Sequence, residues 1–269
     1  MTKVAACQVA PLLGDPAANR ELVADAVSDA AKQSAELVVL PELVSSGYMF
    51  RDQDEARASA EPADGQTLQL WGRLARDHGV VLVGGFCEAG PTGELYISSA
   101  IVDPSGTRAI YRKAHLWDQE RLIFSRGNAR PPVVDTAIGR IATMICYDLE
   151  FPEWVRIPAL AGADLLAAPV NWPTGAHVPD QVPTEVVRTQ ADSSVNRMAV
   201  VACDRAGVER GVEWVGGSVI VDSDGWILAG GSRTPSSQTL CADLDLTASR
   251  NKNVGGLSDI HADRRPDLY

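Results

Sequence analysis

The chain has 269 residues, 45% of them hydrophobic, and a formal net charge of −11. That length supports a sizeable core. No apolar run approaches the roughly 18 residues that span a bilayer, and the acidity opposes binding to nucleic acid or an anionic membrane. The opening residues are broken by Gln8 and Pro11 and do not read as a signal peptide, so a cytoplasmic location is expected.

Short Val-, Ile- and Leu-rich runs alternate with amphipathic stretches. "VAACQVA" (4–10) reads as a strand. Asp15 and Pro16 then form an N-cap and first-turn signal. Leu22, Val23, Ala26, Val27 and Ala30 follow at helical spacing, which predicts a helix over 16–33. "AELVVLPE" (35–42) reads as a buried strand. Residues 66–78 place Leu70, Trp71 and Leu74 on one helical face and stop at Gly79. "VVLVGGF" (80–86) is the next strand. "LYISSAIVD" and "RAIYRK" flank a Pro104-Ser105-Gly106 turn. Strand character returns in "VVDTAIGRIATMIC" (133–146), followed by a helix from Pro152 to Gly162 and the strand "ADLLAAPV" (163–170). Pro158 is expected to kink or shorten that helix. A helix over 180–197 precedes "MAVVACD", "GSVIVD" and "WILAGG", with a hairpin turn at Ser223-Asp224-Gly225. The tail from about 247 has little periodicity. No composition break divides the chain, so one α/β domain is expected, with helices covering mixed sheets.

The five cysteines include no C-x-x-C pair, and the four histidines show no ligand spacing, so neither a disulfide framework nor a zinc site is expected. Cys7, Cys87, Cys203 and Cys241 lie in or beside strand-like runs and read as small buried hydrophobes. Cys146 differs. Its segment "CYDLEFPEW" runs from a strand end through a turn into a helix begun by Pro152, which exposes a side chain beside unpaired helix N–H groups. It reads either as one more buried thiol or as a nucleophile. A nucleophilic thiol needs a base, because near pKa 8.5 it is only a few per cent thiolate at neutral pH. His115 is the nearest histidine. Glu42 is the alternative, at the carboxyl end of a strand where α/β folds place ligands. Lys113 also ends a strand, and its ammonium suits a thiolate or an oxyanion.

Taken together, "LPELVSSGY" around Glu42, "YRKAHL" around Lys113 and "MICYDLEFPE" around Cys146 resemble the nitrilase superfamily of carbon–nitrogen hydrolases. "GADLLAAPVNWP", "GGSVIVDSDG" and the tail "DRRPDLY" extend the resemblance over nearly the whole chain, in the family's order. The resemblance implies a four-layer α-β-β-α sandwich of two stacked mixed sheets. It also implies a homodimer or higher oligomer, with residues 247–269 packing on the partner. It assigns Glu42, Lys113 and Cys146 as a catalytic set and Glu120, in "LWDQERLIFSRG", as the family's second glutamate. No metal or cofactor is implied. One departure is Val195-Asn196, where family members often carry Glu-Asn.

The mechanism so implied has Glu42 accept the thiol proton, with Lys113 and the backbone N–H of Tyr147 holding the oxyanion. Tyr147, in place of the Trp of typical nitrilases, inclines the reading to small linear amides in the amidase and ω-amidase-like branches. Asn171 is expected to hydrogen-bond the amide, and Trp172 and Tyr48 to wall an acyl pocket. Arg156 and Arg188 are the candidates for a substrate carboxylate. The alternatives are an N-carbamoyl amino acid or ureido hydrolase, then an acyltransferase or nitrilase, and a catalytically silent binding subunit.

Overall fold

The computed structural model describes residues 1–175 and 181–268. Asp180, the expected start of the 180–197 helix, lies outside the described residues, as does Tyr269 at the end of the tail.

The first half runs β1 (Thr2–Gln8), α1 (Pro16–Lys32), β2 (Leu37–Val39), α2 (Gln53–Ser59), α3 (Gln66–His78), β3 (Val81–Ala89), β4 (Leu95–Asp103) and β5 (Gly106–Arg112). A short helix α4 (Glu120–Ile123) leads to β6 (Val133–Thr136), β7 (Gly139–Thr143), α5 (Pro152–Leu160), β8 (Leu165–Pro169) and α6 (Thr184–Asn196). Then come β9 (Ala199–Cys203), a two-residue hairpin of β10 (Val208–Glu209) and β11 (Val212–Glu213), β12 (Val219–Val221), β13 (Ile227–Gly230) and β14 (Gln238–Leu244). A last hairpin, β15 (Asn253–Gly255) and β16 (Ser258–Asp259), lies in the tail.

Several boundaries follow from local chemistry. Asp15 accepts from the Ala18 N–H and caps α1, with Pro16 in the first turn. Gly79 ends α3 in the left-handed conformation. The expected 133–146 strand is instead a β6–β7 hairpin, because Gly139, at φ +141°, turns the chain back after Thr136. Pro158 lies inside α5, which ends at Leu160. Sequence periodicity gave neither α2 nor β14.

Two six-stranded mixed sheets result, in the orders β14-β1-β2-β3-β4-β5 and β13-β12-β9-β8-β7-β6. Each has a parallel centre, β1-β2-β3 or β7-β8-β9, flanked by antiparallel strands. The central strands are buried on both faces, which explains their continuous apolar runs. In β1, Val4 and Ala6 join Leu37, Val39, Val81, Leu165 and Val201 in the core between the sheets. Ala5 and Cys7 point the other way, into the core beneath α1 and α3. Val155 and Ala159 of α5 and Val186 of α6 cover the far face of the second sheet. The layers are therefore helix, sheet, sheet and helix. Full burial of each such Val or Leu contributes about 1.5–3 kcal/mol.

Candidate active site

The residues singled out by sequence meet where strands of the two sheets end. Glu42 lies in the turn after β2. That turn packs directly on β3, with Gly85 donating to the Pro41 carbonyl at 3.0 Å. A Cβ on Gly85 would lie 2.5 Å from the Leu43 nitrogen and 2.6 Å from the Glu42 Cα, so only glycine admits this approach. Lys113 follows β5 at once and is tied by its N–H to the Ile97 carbonyl at 2.8 Å. Cys146 opens a short 3₁₀ turn, Cys146–Glu150, after β7. Its φ of +46° is left-handed, a conformation that costs a non-glycine residue roughly 1–3 kcal/mol. Asn171 follows β8, and its Nδ2 donates to the Glu42 carbonyl at 2.9 Å.

Lys113 Nζ bridges two carboxylates, donating to Glu42 Oε1 and to Glu120 Oε1 at 2.7 Å each. Glu120 is fixed further by the Tyr48 hydroxyl at 2.6 Å and by the Trp117 N–H at 2.7 Å. The Cys146 thiol donates to the Asn171 carbonyl at 3.6 Å. Glu42 is 1% exposed, Lys113 1% and Glu120 4%. The second oxygen of Glu42, Oε2, is buried without a hydrogen-bond partner, as is Asn171 Oδ1. Tyr147 is the second residue of the 3₁₀ turn, where backbone N–H groups have no partner within the turn.

Burial raises the Glu42 carboxyl to about 7, with Lys113 opposing the rise and Glu120 adding to it. A carboxyl poised there accepts and returns protons near neutrality. Burial works against the Lys113 ammonium, but Glu120 and Glu42 outweigh it and hold the lysine charged. Burial lifts the Cys146 thiol well above its usual range; Glu42 pushes further and Lys113 opposes. The resting thiol therefore keeps its proton, and a base must remove it during attack.

His115 is not placed as that base. Its ring Nδ1 pairs with Asp148 at 2.7 Å, and the ring stacks on Phe151 with centroids 3.9 Å apart. Asp148, fully buried, also accepts from the Tyr111 hydroxyl at 2.8 Å and from the Ile145 and His115 N–H groups at 3.1 Å. It thereby fastens the Cys146 turn to the loop that follows Lys113. Sequence reasoning missed Asp148, although its place two residues after the cysteine in a 3₁₀ turn suits a carboxylate that accepts preceding N–H groups. Asn196 of the Val195-Asn196 pair is structural: it is buried and donates to the Asp192 carbonyl at 2.8 Å.

A cavity of about 340 Å³ opens on Cys146 and is lined by Tyr147, Asn171, Trp172 and Trp117, with Glu150, Glu185 and Arg188 also in its wall. Arg156 is not among its lining residues. Tyr48 does not wall this space as expected. It lines an adjoining cavity of about 280 Å³ with Phe50, Phe124 and Trp214, and its hydroxyl reaches Glu120. Trp117 and Pro173 border both spaces. Among the described residues no group of histidine, cysteine and carboxylate side chains is arranged to hold a metal, and no helix is long and apolar enough to cross a membrane.

A profile of the carbon-nitrogen hydrolases matches residues 3–252. The chain belongs to the carbon-nitrogen hydrolase family. It is 35% identical to a nitrilase of Pyrococcus abyssi, over all of this chain and 99% of that protein. It is 31% identical to an (R)-stereoselective amidase of Pseudomonas sp, over 96% of this chain and 90% of that one. Among solved structures, an amidase from Nesterenkonia sp. superposes with a TM-score of 0.81 at 27% identity, covering 99% of this chain and 94% of that one. A variant of the Nesterenkonia sp. AN1 amidase carries acrylamide added to its active-site cysteine; it superposes at 0.80 with 26% identity, over 100% of this chain and 98% of that one. As a carbon-nitrogen hydrolase, the chain is a hydrolase of non-peptide carbon–nitrogen bonds.

Proposed function

We propose that this hydrolase is an amidase that converts small linear carboxamides to carboxylate and ammonia through a thioester on Cys146. The observation that carries the reading is the buried Glu42–Lys113–Glu120 chain beside the Cys146 cavity. Glu42 takes the thiol proton as sulfur attacks the amide carbon. The Lys113 ammonium and the Tyr147 N–H hold the oxyanion, each such donor contributing about 3–4 kcal/mol. As the tetrahedral adduct collapses, the carbon–nitrogen bond breaks and Glu42 protonates the leaving ammonia. Glu42 then deprotonates water, which attacks the thioester. The carbon–sulfur bond breaks, and the proton returns to sulfur.

Glu120 holds Lys113 charged and in place, and Tyr48 and the Trp117 N–H hold Glu120. Asn171 and Trp172 border the nucleophile and bind the amide and the acyl chain. The carbamoyl amino acid alternative gains no specific support, because Arg188, the arginine in the cavity wall, is already paired with Glu150 at 2.9 Å.

Residues 1–269 act as one catalytic domain in this reading, as a homodimer to which the tail contributes. In support, the tail exposes Val254, Leu257 and Leu268 to solvent. The test of activity is ammonia release from butyramide, pentanamide and hexanamide. Wild type is expected to release ammonia, and Cys146→Ala and Glu42→Gln to lose it. Equal turnover by Cys146→Ala overturns the mechanism.

A further inference from the structure

The cavity over Cys146 holds two carboxylates, one guanidinium and two indole rings in its wall. At the nucleophile end, Asn171 is 1% exposed and its Oδ1 has no hydrogen-bond partner. One N–H of its Nδ2 is committed to the Glu42 carbonyl, and its Oδ1 is an acceptor still to be satisfied. The same cavity is lined by Glu150 and Glu185, against a single guanidinium, Arg188. That guanidinium is occupied: it binds Glu150 Oε1 at 2.9 Å, and Asp192, buried behind it, attracts it as well. Among the described residues no cation pairs with the Glu185 carboxylate, whose Oε2 accepts from the Thr184 hydroxyl at 3.4 Å. The wall also includes Trp117 and Trp172, and indole ring faces attract a cation.

A substrate carboxylate entering this space meets excess negative charge and an arginine it must take from Glu150. An ammonium meets a carboxylate that no cation among the described residues pairs, and aromatic rings. We infer that the substrates are amides carrying a positively charged amino group: a primary carboxamide at Cys146, its N–H on Asn171 Oδ1, and an ammonium four or so bonds away on Glu185. This deepens the amidase reading and rests on it. Glu185 lines the same cavity as Cys146, and the cavity's volume of about 340 Å³ suits a short chain.

The test is calorimetric binding to the Cys146→Ala protein, which needs no turnover and so stands apart from the chemistry. Three ligands of matched length serve: 4-aminobutyramide (ammonium), pentanamide (neutral) and succinamate (carboxylate). The ammonium amide is expected to bind about tenfold more tightly than pentanamide, equivalent to roughly 1.4 kcal/mol, and succinamate most weakly. Adding Glu185→Gln should remove the ammonium preference, bringing 4-aminobutyramide to the affinity of pentanamide in the same variant. Adding Arg188→Gln should strengthen ammonium binding, a gain that misfolding cannot mimic. Equal affinities for the ammonium and neutral amides, tighter binding of succinamate, or an ammonium preference untouched by Glu185→Gln overturns the inference. Hydrolysis of pentanamide by wild type tests the amidase reading separately.

Discussion

Replacing Lys113 by Met keeps the volume of the side chain and removes its charge. The ammonium lies 2.7 Å from both Glu42 and Glu120, and the three side chains are shut away from water. Two losses follow. The oxyanion loses its charged donor, a cost of about 2.7–4 kcal/mol, or about 10²–10³ in rate. Glu42 also loses the group that opposes its upward shift from burial, so its carboxyl rises above the present value of about 7. The base works only when ionised. At pH 7.5 the first unit of rise therefore lowers the active fraction about threefold, and a second unit by a further factor of about eight. For a rise of one to two units the combined loss in kcat/KM is about 3 × 10² to 3 × 10⁴, and the acid limb of the kcat/KM profile moves upward from near 7. Ammonia release measured from pH 5 to 9.5 gives both numbers. Far-UV circular dichroism reports whether the variant folds, and protonation of the stranded carboxyls offsets part of the cost of breaking the buried pair. A variant within tenfold of wild type, with its acid limb unmoved, refutes the reasoning.

Gly85→Ala is expected to displace the Glu42 turn, since its Cβ would overlap Leu43 and Glu42 backbone; kcat should fall at least about tenfold with little change in far-UV circular dichroism. Asp148→Asn sets an amide nitrogen against N–H groups that now meet a carboxylate, costing about 1–3 kcal/mol in thermal or urea unfolding, with kcat lowered through the Cys146 turn. Burial holds Asp192 at about 7, against 3.8 when free. The folded state thus keeps a proton that the unfolded chain releases, and this contribution to stability is lost as pH rises from about 4 through 7. Asp192→Asn lacks that dependence, so its melting temperature relative to wild type should be higher at pH 8 than at pH 4; a pH-independent difference contradicts the assignment. If the tail holds a dimer, Leu257→Asp should lower the mass seen by light scattering.

Glu42, Lys113 and Cys146 stood out as candidates because each sits just past a hydrophobic strand, and the family resemblance joined them into one set. In stacked α/β sheets such positions converge on one edge. Glu120 rested on the family resemblance, and the structure brings it to the other side of Lys113. The functions of Tyr48 and His115 were not legible, because each is set by a partner distant in sequence: Glu120 for the tyrosine, Asp148 for the histidine. For the same reason the pairing of Arg188 with Glu150 could not be read from the chain. In the fold, strand periodicity and turn residues gave most elements. Strand β14 escaped because "QTLCADL" is weakly patterned and gains its place only by pairing with β1 at the other end of the chain. Helix α2, with three charged residues among "QDEARAS", has a narrow buried face, reduced to Ala56 and Ser59.

Intact-mass spectrometry of enzyme quenched during turnover of a short amide tests the central claim most directly. The account predicts a mass increase equal to the acyl group, located at Cys146 by peptide mapping, released by hydroxylamine and absent from Cys146→Ala. An acyl group on another residue, or amide turnover undiminished in Cys146→Ala, would contradict it.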